Sequence, residues 1–402
     1  MIYLDNGATT LKKPDKVIDA VVNAMKTQGN AGRGAHGATL SSSRVIYDTR
    51  CKISELFNLG NPSNVIFTYN STEALNITLN GLIKAGDKVV STDTEHNSVL
   101  RPLYYLEETK NIDLQFVKAD KEGNLRLSDF EKMIDNKTKV VVVNHSSNLT
   151  GNVIDIKKIS ELTHKVGALL VVDGSQTAGT RKIDMKELGI DVYCFTGHKG
   201  LYGPQGTGGI CIRDGVEIAI MKRGGSGVQT YNKEHPQEYP TRLEAGTLNS
   251  HGIAGLNAAI DFINEVGIEN IEKKEMELTA YFYSEVIKIP KVKVYGNFSF
   301  VKDVFNKEVR SENYFTDKEI VTLNDKHSAI VALNIGDYDS GEVADALSNQ
   351  YEIATRPGAH CVPRLHIALG TKEQGAVRFS FSYFTTKEEL DVAIKAIREI
   401  AE

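Results

Sequence analysis

The chain has 402 residues, enough for two or three domains at roughly 150 residues each. With 41% apolar and 25% charged residues it has the make-up of an ordinary globular protein, and a net charge of −5 gives neither nucleic acid nor an anionic membrane a basic surface to bind. No apolar run approaches the ~20 residues of a membrane span, and the first residues show no basic-then-apolar leader. The four cysteines, Cys51, Cys194, Cys211 and Cys361, lack the C-x-x-C spacing of a zinc site or redox dithiol. No metal is expected, and thiols this sparse suit a reducing, cytoplasmic setting.

Residues 5–10 form a polar turn after a short apolar start. Residues 29–37 are too glycine-rich for regular structure and read as a functional or interface loop, or as a plain connector. Val45, Ile46, Ile53, Leu56 and Phe57 share one face of a helix over 41–57, with Cys51 inside it. From residue 65 strands and helices alternate. Strand-like runs cover 65–69, 88–91, 114–117, 140–143, 169–172, 192–195 and 208–212, and helical stretches end near 83 and 106 and span 154–166. This alternation predicts a largely parallel α/β sheet, with Cys194 and Cys211 as core thiols. Near Gly246 the alternation stops. Helical patterns over 253–266 and 271–287 look like a domain connection, and the charged, weakly periodic residues 297–325 read as a surface excursion. A strand over 329–333, a helix over 340–349 and a final helix from Lys387 predict a small α+β domain.

In such sheets ligands gather beyond the carboxyl ends of the strands. That rule collects Ser71, Thr72, His96, Asn148, Asp173, Gln176 and Lys199 at one mouth. Asp173 closes an apolar run. Lys199 stands beside His198 in a glycine-rich turn after a strand. A lone lysine in a turn is ordinarily a surface charge, and hydroxyls at a helix start are ordinary caps. Together, an amine and a carboxylate at the ends of buried strands, with an anion site at a helix start, are what pyridoxal phosphate needs. The lysine forms the Schiff base, and the aspartate keeps the ring nitrogen protonated.

The string from Val172 to Ala178, followed by Thr196, Gly197, His198 and Lys199, resembles the class V aminotransferase-like pyridoxal-phosphate enzymes of fold type I. Within them the chain is similar to the cysteine desulfurases and related selenocysteine lyases, from Tyr3 to Ser382. The resemblance implies an α/β large domain over 15–255 with a mostly parallel seven-stranded sheet, and a small α+β domain over 256–402 joined by the segment 1–14. It implies that Ser71, Thr72, Thr196 and His198 hold the cofactor phosphate, and that Thr247 reaches the phosphate of a neighbouring subunit in a homodimer. His96 would stack on the pyridine ring and move protons. Gln176 and Asn148 would bond the ring oxygen, Asn148 would also contact the substrate, and Arg378 would grip the substrate carboxylate, which a guanidinium can bind with two prongs. His145 reads as structural.

Cys361 discriminates between members. Unlike Cys194 and Cys211 it lies outside an apolar run, in a segment with Arg356 and His360, whose charges would favour its thiolate. The pattern of Arg356, Gly358, His360 and Cys361 matches the family's, which implies a nucleophile that takes sulfur from L-cysteine and passes it to an acceptor protein. The chain departs from the usual pattern at Gly7 and Val362, where alanine is common. L-Selenocysteine as substrate, an aminotransferase, and a non-catalytic scaffold for a sulfur acceptor are the rival readings.

Overall fold

Valine and isoleucine pack well on a pleated, buried surface, and their runs become strands. In chain order these are β1 (Ile2–Tyr3), β2 (Val65–Thr68), β3 (Lys88–Thr92), β4 (Asp113–Val117), β5 (Thr138–Asn144), β6 (Asn152–Ile154), β7 (Leu169–Asp173), β8 (Val192–Thr196) and β9 (Gly208–Ile212). The computed structural model describes residues 1–31, 34, 36–301 and 321–402. One seven-stranded sheet runs in the order β2-β9-β8-β7-β5-β3-β4. Strands β4, β3, β5, β7 and β8 pair in parallel, while β9 is antiparallel to both its neighbours. Both faces of the sheet are covered. Val141 and Val143 of β5 join one apolar cluster, and Val140 and Val142 join another on the opposite face. This is why β5 reads as an unbroken apolar run rather than an alternating one.

Register places the site. Asn144 pairs with Asp173, so β5 and β7 end level, and Asp173 also pairs with Cys194 of β8. The turns that follow these strands therefore open on the same edge.

Four helices are needed below: α1 (Asp15–Thr27), α2 (Gly37–Leu56), α3 (Ser71–Leu82) and α4 (Asn97–Lys110). Helix α2 begins four residues earlier than its apolar face suggests. Helix α1 has one broad apolar face, only part of which is covered: Val17 and Ala24 are buried, while Ile18, Val22 and Met25 are exposed. It packs on the helix Ser250–Val266. A Cβ at Gly255 would lie 2.6 Å from a Val21 methyl, so glycine permits the approach.

The C-terminal part adds β10 (Val292–Tyr295), β11 (Thr322–His327), β12 (Ile330–Ile335), β13 (Ile353–Ala354) and β14 (Val377–Ser380). Strands β10, β12 and β14 form an antiparallel sheet. The chain's first residues join it: β1 pairs in parallel with β13, Asp5 bridges to Ser380, and Leu4 is fully buried in the cluster containing Leu333, Phe379 and Leu390. Strand β11 pairs with β6. Most of the charged stretch, residues 302–320, lies outside the described residues, as do 32, 33 and 35 of the glycine-rich loop. The flanks of that stretch depart from a surface excursion, since Phe298, Phe300, Val301 and Val321 are buried.

Candidate active site

Beyond the carboxyl ends of β5, β7 and β8 lies a cavity of about 310 Å³. Ser71, Thr72, His96, Asn148, Asp173, Gln176, His198, Lys199 and Arg378 all line it. Most of them stand at or just after the carboxyl ends of strands of the seven-stranded sheet, whose order brings them together, while Arg378 comes from β14 of the C-terminal part.

Lys199 is held through its backbone. The N-terminal turn reaches it: Thr10 donates from N and Oγ1 to the His198 carbonyl, both at 3.1 Å, and from Oγ1 to the Lys199 carbonyl at 3.2 Å. The Lys13 ammonium donates to the same His198 carbonyl at 2.9 Å. On the far side the turn after Asp173 packs backbone to backbone against the lysine turn. A Cβ at Gly179 would lie 2.4 Å from the Gly200 oxygen, and Gly179 has φ +88, a conformation glycine adopts freely. Burial, and then the nearby Arg378, lowers the Lys199 pKa to about 8. A lysine this close to neutrality is a usable nucleophile and base.

Asp173 is buried at the end of β7. Its Oδ1 accepts from the backbone N–H of Ser175 at 3.0 Å and from the Ser175 hydroxyl, while Oδ2 bonds no described residue. Gln176 donates to the Gly7 carbonyl at 3.1 Å. At the other end of the cavity α3 begins. Asn70 caps it by accepting from Glu73 N–H, which leaves Ser71 and Thr72 in the first turn, where helix N–H groups and the dipole favour an anion.

His96 caps α4 and faces the same space. Ser98 donates from its backbone N–H to His96 Nδ1 at 3.1 Å, its Oγ lies 2.8 Å from that nitrogen, and Thr72 Oγ1 lies 2.8 Å from Ser98 Oγ. Burial, and then Lys199, pushes the His96 pKa down to about 4. His198 falls to about 4 by burial and by the charges of Lys199 and Lys13, so both rings are neutral at pH 7.

Cys361 lies in an adjoining groove of about 430 Å³ that shares Thr72, His96 and Ser98 with the cavity and also holds Asn76, Arg101 and Tyr105. It is half-buried. His360 does not supply the positive charge expected beside it. Burial, and then Arg378, lowers its pKa to about 3, and its Nε2–H is donated to the Arg356 carbonyl at 2.9 Å.

Arg378 is buried. It bonds the Asp5 carboxylate at 2.7 Å and the Asn148 carbonyl at 2.9 Å. The departure at Gly7 sits against it, since a Cβ there would lie 3.3 Å from the guanidinium carbon, while Val362 is fully buried. A second guanidinium, Arg356, also lines the cavity and forms no ion pair among the described residues. Its backbone pairs with that of Arg378 across an antiparallel bridge. Sequence alone assigns Arg356 only an influence on Cys361; its place beside Arg378 follows from strand pairing. Ser98, Asn144 and Ser175 also line the cavity without having been singled out.

Thr196 and Thr247 do not line this cavity, and Thr247 is expected at a neighbouring subunit's phosphate rather than at this one. Thr196 ends β8 with its hydroxyl buried and without a partner among the described residues, outside the cavity lining. Thr247 is exposed and lines a separate small cavity with Glu73 and Lys222.

The sequence matches the family described as aminotransferase class-V over residues 2–303 and 313–392. A probable cysteine desulfurase of Methanothermobacter thermautotrophicus is 33% identical over 408 residues, covering 100% of this chain and 94% of its own length. A cysteine desulfurase of Haloferax volcanii is 28% identical over 407 residues, covering 99% of this chain and 88% of its own. The solved apo structure of a cysteine desulfurase from Thermococcus onnurineus NA1 is 30% identical and superposes with a TM-score of 0.87, covering 100% of this chain and 94% of that one.

Proposed function

The chain belongs to the class-V aminotransferase family, and we propose that it is a pyridoxal-phosphate-dependent cysteine desulfurase in which Cys361 takes sulfur from L-cysteine. The observation that carries this reading is the position of Cys361. Its groove shares Thr72, His96 and Ser98 with the cavity that holds Lys199 and Asp173. A transaminating site has no need of a thiol there.

The residues present fit the cofactor. Asp173 keeps one carboxylate oxygen unengaged by the described residues, an acceptor for a protonated ring nitrogen. Ser71, Thr72 and the first N–H groups of α3 would take the phosphate, with His198 close by. Lys199 would carry the aldehyde carbon. Bound there, pyridoxal phosphate supplies an electron sink for bonds at the substrate's α-carbon.

The chain's own residues do the rest. Arg356 and Arg378 bind the substrate carboxylate. The Lys199 amine takes the α-carbon proton and hands it back. The Cys361 thiolate attacks the substrate sulfur, so a carbon–sulfur bond is exchanged for a sulfur–sulfur bond. The electron pair stays with the carbon skeleton, which gains protons and leaves as L-alanine. Cys361 is left as a persulfide in an open groove that an acceptor protein can reach.

A homodimer is part of the reading. The exposed Ile18, Val22 and Met25 recur at helical spacing on α1, a pattern that supports burial against a second copy. Thr247, remote from its own cavity, is then available to the neighbour's.

The test is incubation with the cofactor, L-cysteine and a thiol reductant. Alanine and sulfide in equal amounts are expected, and Cys361→Ala should stop both, by about 1,000-fold or more, while keeping the visible absorbance of the lysine-bound cofactor. Absorbance without alanine in the unaltered protein would overturn the reading.

A further inference from the structure

We propose that Ser98 fixes His96 in its Nε2–H form, so that His96 gives a hydrogen bond at the reacting centre and does not act as the base. The role, though not the tautomer, rests on the desulfurase reading.

A backbone N–H can only donate. The Ser98 N–H meets His96 Nδ1 at 3.1 Å, so Nδ1 must present its lone pair. A neutral imidazole then carries its proton on Nε2. Protonating Nδ1 would set two donors against each other and undo the cap of α4. The Ser98 hydroxyl, which can give or accept, lies 2.8 Å from Nδ1 and 2.8 Å from Thr72 Oγ1. The imidazole, the helix start and the hydroxyl at the phosphate end form one linked set.

Nε2 bonds no described residue, while the ring lines both the cavity and the groove of Cys361. Toward the site His96 therefore has an N–H to give and no lone pair with which to receive. The proton acceptor in the same cavity is Lys199. Burial favours the same division, since it keeps the His96 ring neutral. Ser98 is thus a positioning residue that acts through His96.

The first measurement needs neither cofactor nor turnover. In cofactor-free protein with 15N-labelled histidine, the His96 signals, assigned by their loss in His96→Gln, should show a protonated Nε2 and an unprotonated Nδ1 at pH 7. A protonated Nδ1 would overturn the proposal whatever the enzyme's activity. The expected tautomer in a protein that makes no alanine would support the fixed ring and overturn the desulfurase reading alone.

Ser98→Ala keeps the backbone donor and deletes the hydroxyl. It should leave the tautomer single and lower kcat by roughly 2- to 10-fold, the size of one hydrogen bond, and Ser98→Thr should restore kcat. Mixed tautomers in Ser98→Ala would overturn the backbone N–H as the group that fixes the ring. His96→Gln retains an amide N–H near the Nε2 position, whereas His96→Asn retains a capping oxygen near Nδ1. The glutamine variant should keep more of kcat and the asparagine variant more thermal stability. The reverse order of kcat would overturn the donor role.

Discussion

The backbone N–H of Asn97 donates to the carbonyl of Cys361 at 2.8 Å. A first-turn helix N–H has no partner within its own helix, and here it holds the nucleophile's loop against the residue next to His96. A second tie lies one residue away, where Asn148 Nδ2 donates to the His360 carbonyl at 2.9 Å. The two bonds secure a backbone that would not persist unaided. His360 and Cys361 are successive left-handed residues, with φ of +50 and +59, and each such residue is disfavoured by about 1–2 kcal/mol. The sulfur is thereby fixed relative to His96 by main-chain geometry.

Removing the second tie should loosen the thiol without touching the chemistry at Lys199. Asn148→Ala should slow alanine formation about tenfold, equivalent to about 1.4 kcal/mol for one buried bond. Cofactor absorbance should persist, because Arg378 bonds the Asn148 carbonyl and not its side chain. Steady-state kinetics alongside the visible spectrum decide this. Loss of the absorbance would mean that Asn148 holds the cofactor itself, as the family resemblance implies.

The two guanidinium groups should separate under mutation. Arg356 pairs with no described carboxylate and is partly exposed, so Arg356→Leu should fold normally and raise KM for L-cysteine by about 10- to 100-fold, the weight of a charged hydrogen bond. Arg378 is buried against Asp5. Arg378→Leu strands that carboxylate and should lower stability by about 3 kcal/mol or more. Thermal melts and KM measured on both variants make the comparison. A normal KM in Arg356→Leu would leave the carboxylate to Arg378 alone.

How far the sequence reached can be judged from these residues. The runs at 140–143 and 169–172 announced buried strands, and the polar residues just after each strand converged on one cavity, because parallel pairing turns sequence order into spatial adjacency. Arg356 was visible only as a neighbour of Cys361. Its approach to Arg378 depends on a strand bridge between segments that carry no pairing signal. The apolar face of α1 recurs at helical spacing and was legible in the sequence although no helix was expected there, and β1 is too short to show a period. Cys361 entered the adjoining groove rather than the cavity because its seat is built by α4, which no local pattern around residue 361 discloses.

The lowered Lys199 pKa predicts a pH dependence for cofactor loading. Only the neutral amine attacks an aldehyde. With a pKa of about 8, the loading rate of cofactor-free protein should rise about tenfold per pH unit up to pH 8 and level above it. An ordinary lysine, near 10.4, would keep rising to pH 10. Stopped-flow absorbance after mixing with pyridoxal phosphate measures this directly, and a rise continuing past pH 9 would show that the cavity does not lower the amine's pKa.

Glu95 carries the last prediction, on stability. It is fully buried beside His96, and its Oε1 accepts from Thr92 at 2.6 Å and from Asn144 N–H at 2.9 Å, while Oε2 has no partner among the described residues. Burial pushes its carboxyl up to about 8 from an ordinary 4.5. Between those values the folded protein binds the proton and the unfolded chain does not. The folded state then holds more protons, so stability falls as pH rises, and the contribution present below pH 4.5 is gone once pH passes about 8. Glu95→Gln keeps the shape of the neutral acid and cannot ionise. Relative to this variant, the wild type should lose at most about 1.4 kcal/mol per pH unit between pH 6 and 8. Lys13 and Lys199, both lowered to about 8, act with the opposite sign above that pH, but they are present in both proteins and cancel in the difference. Melting temperatures of the two proteins from pH 6 to 9 should diverge. Parallel curves would mean that Glu95 is ionised in the folded state, with a counter-charge or water on Oε2 that stabilises it.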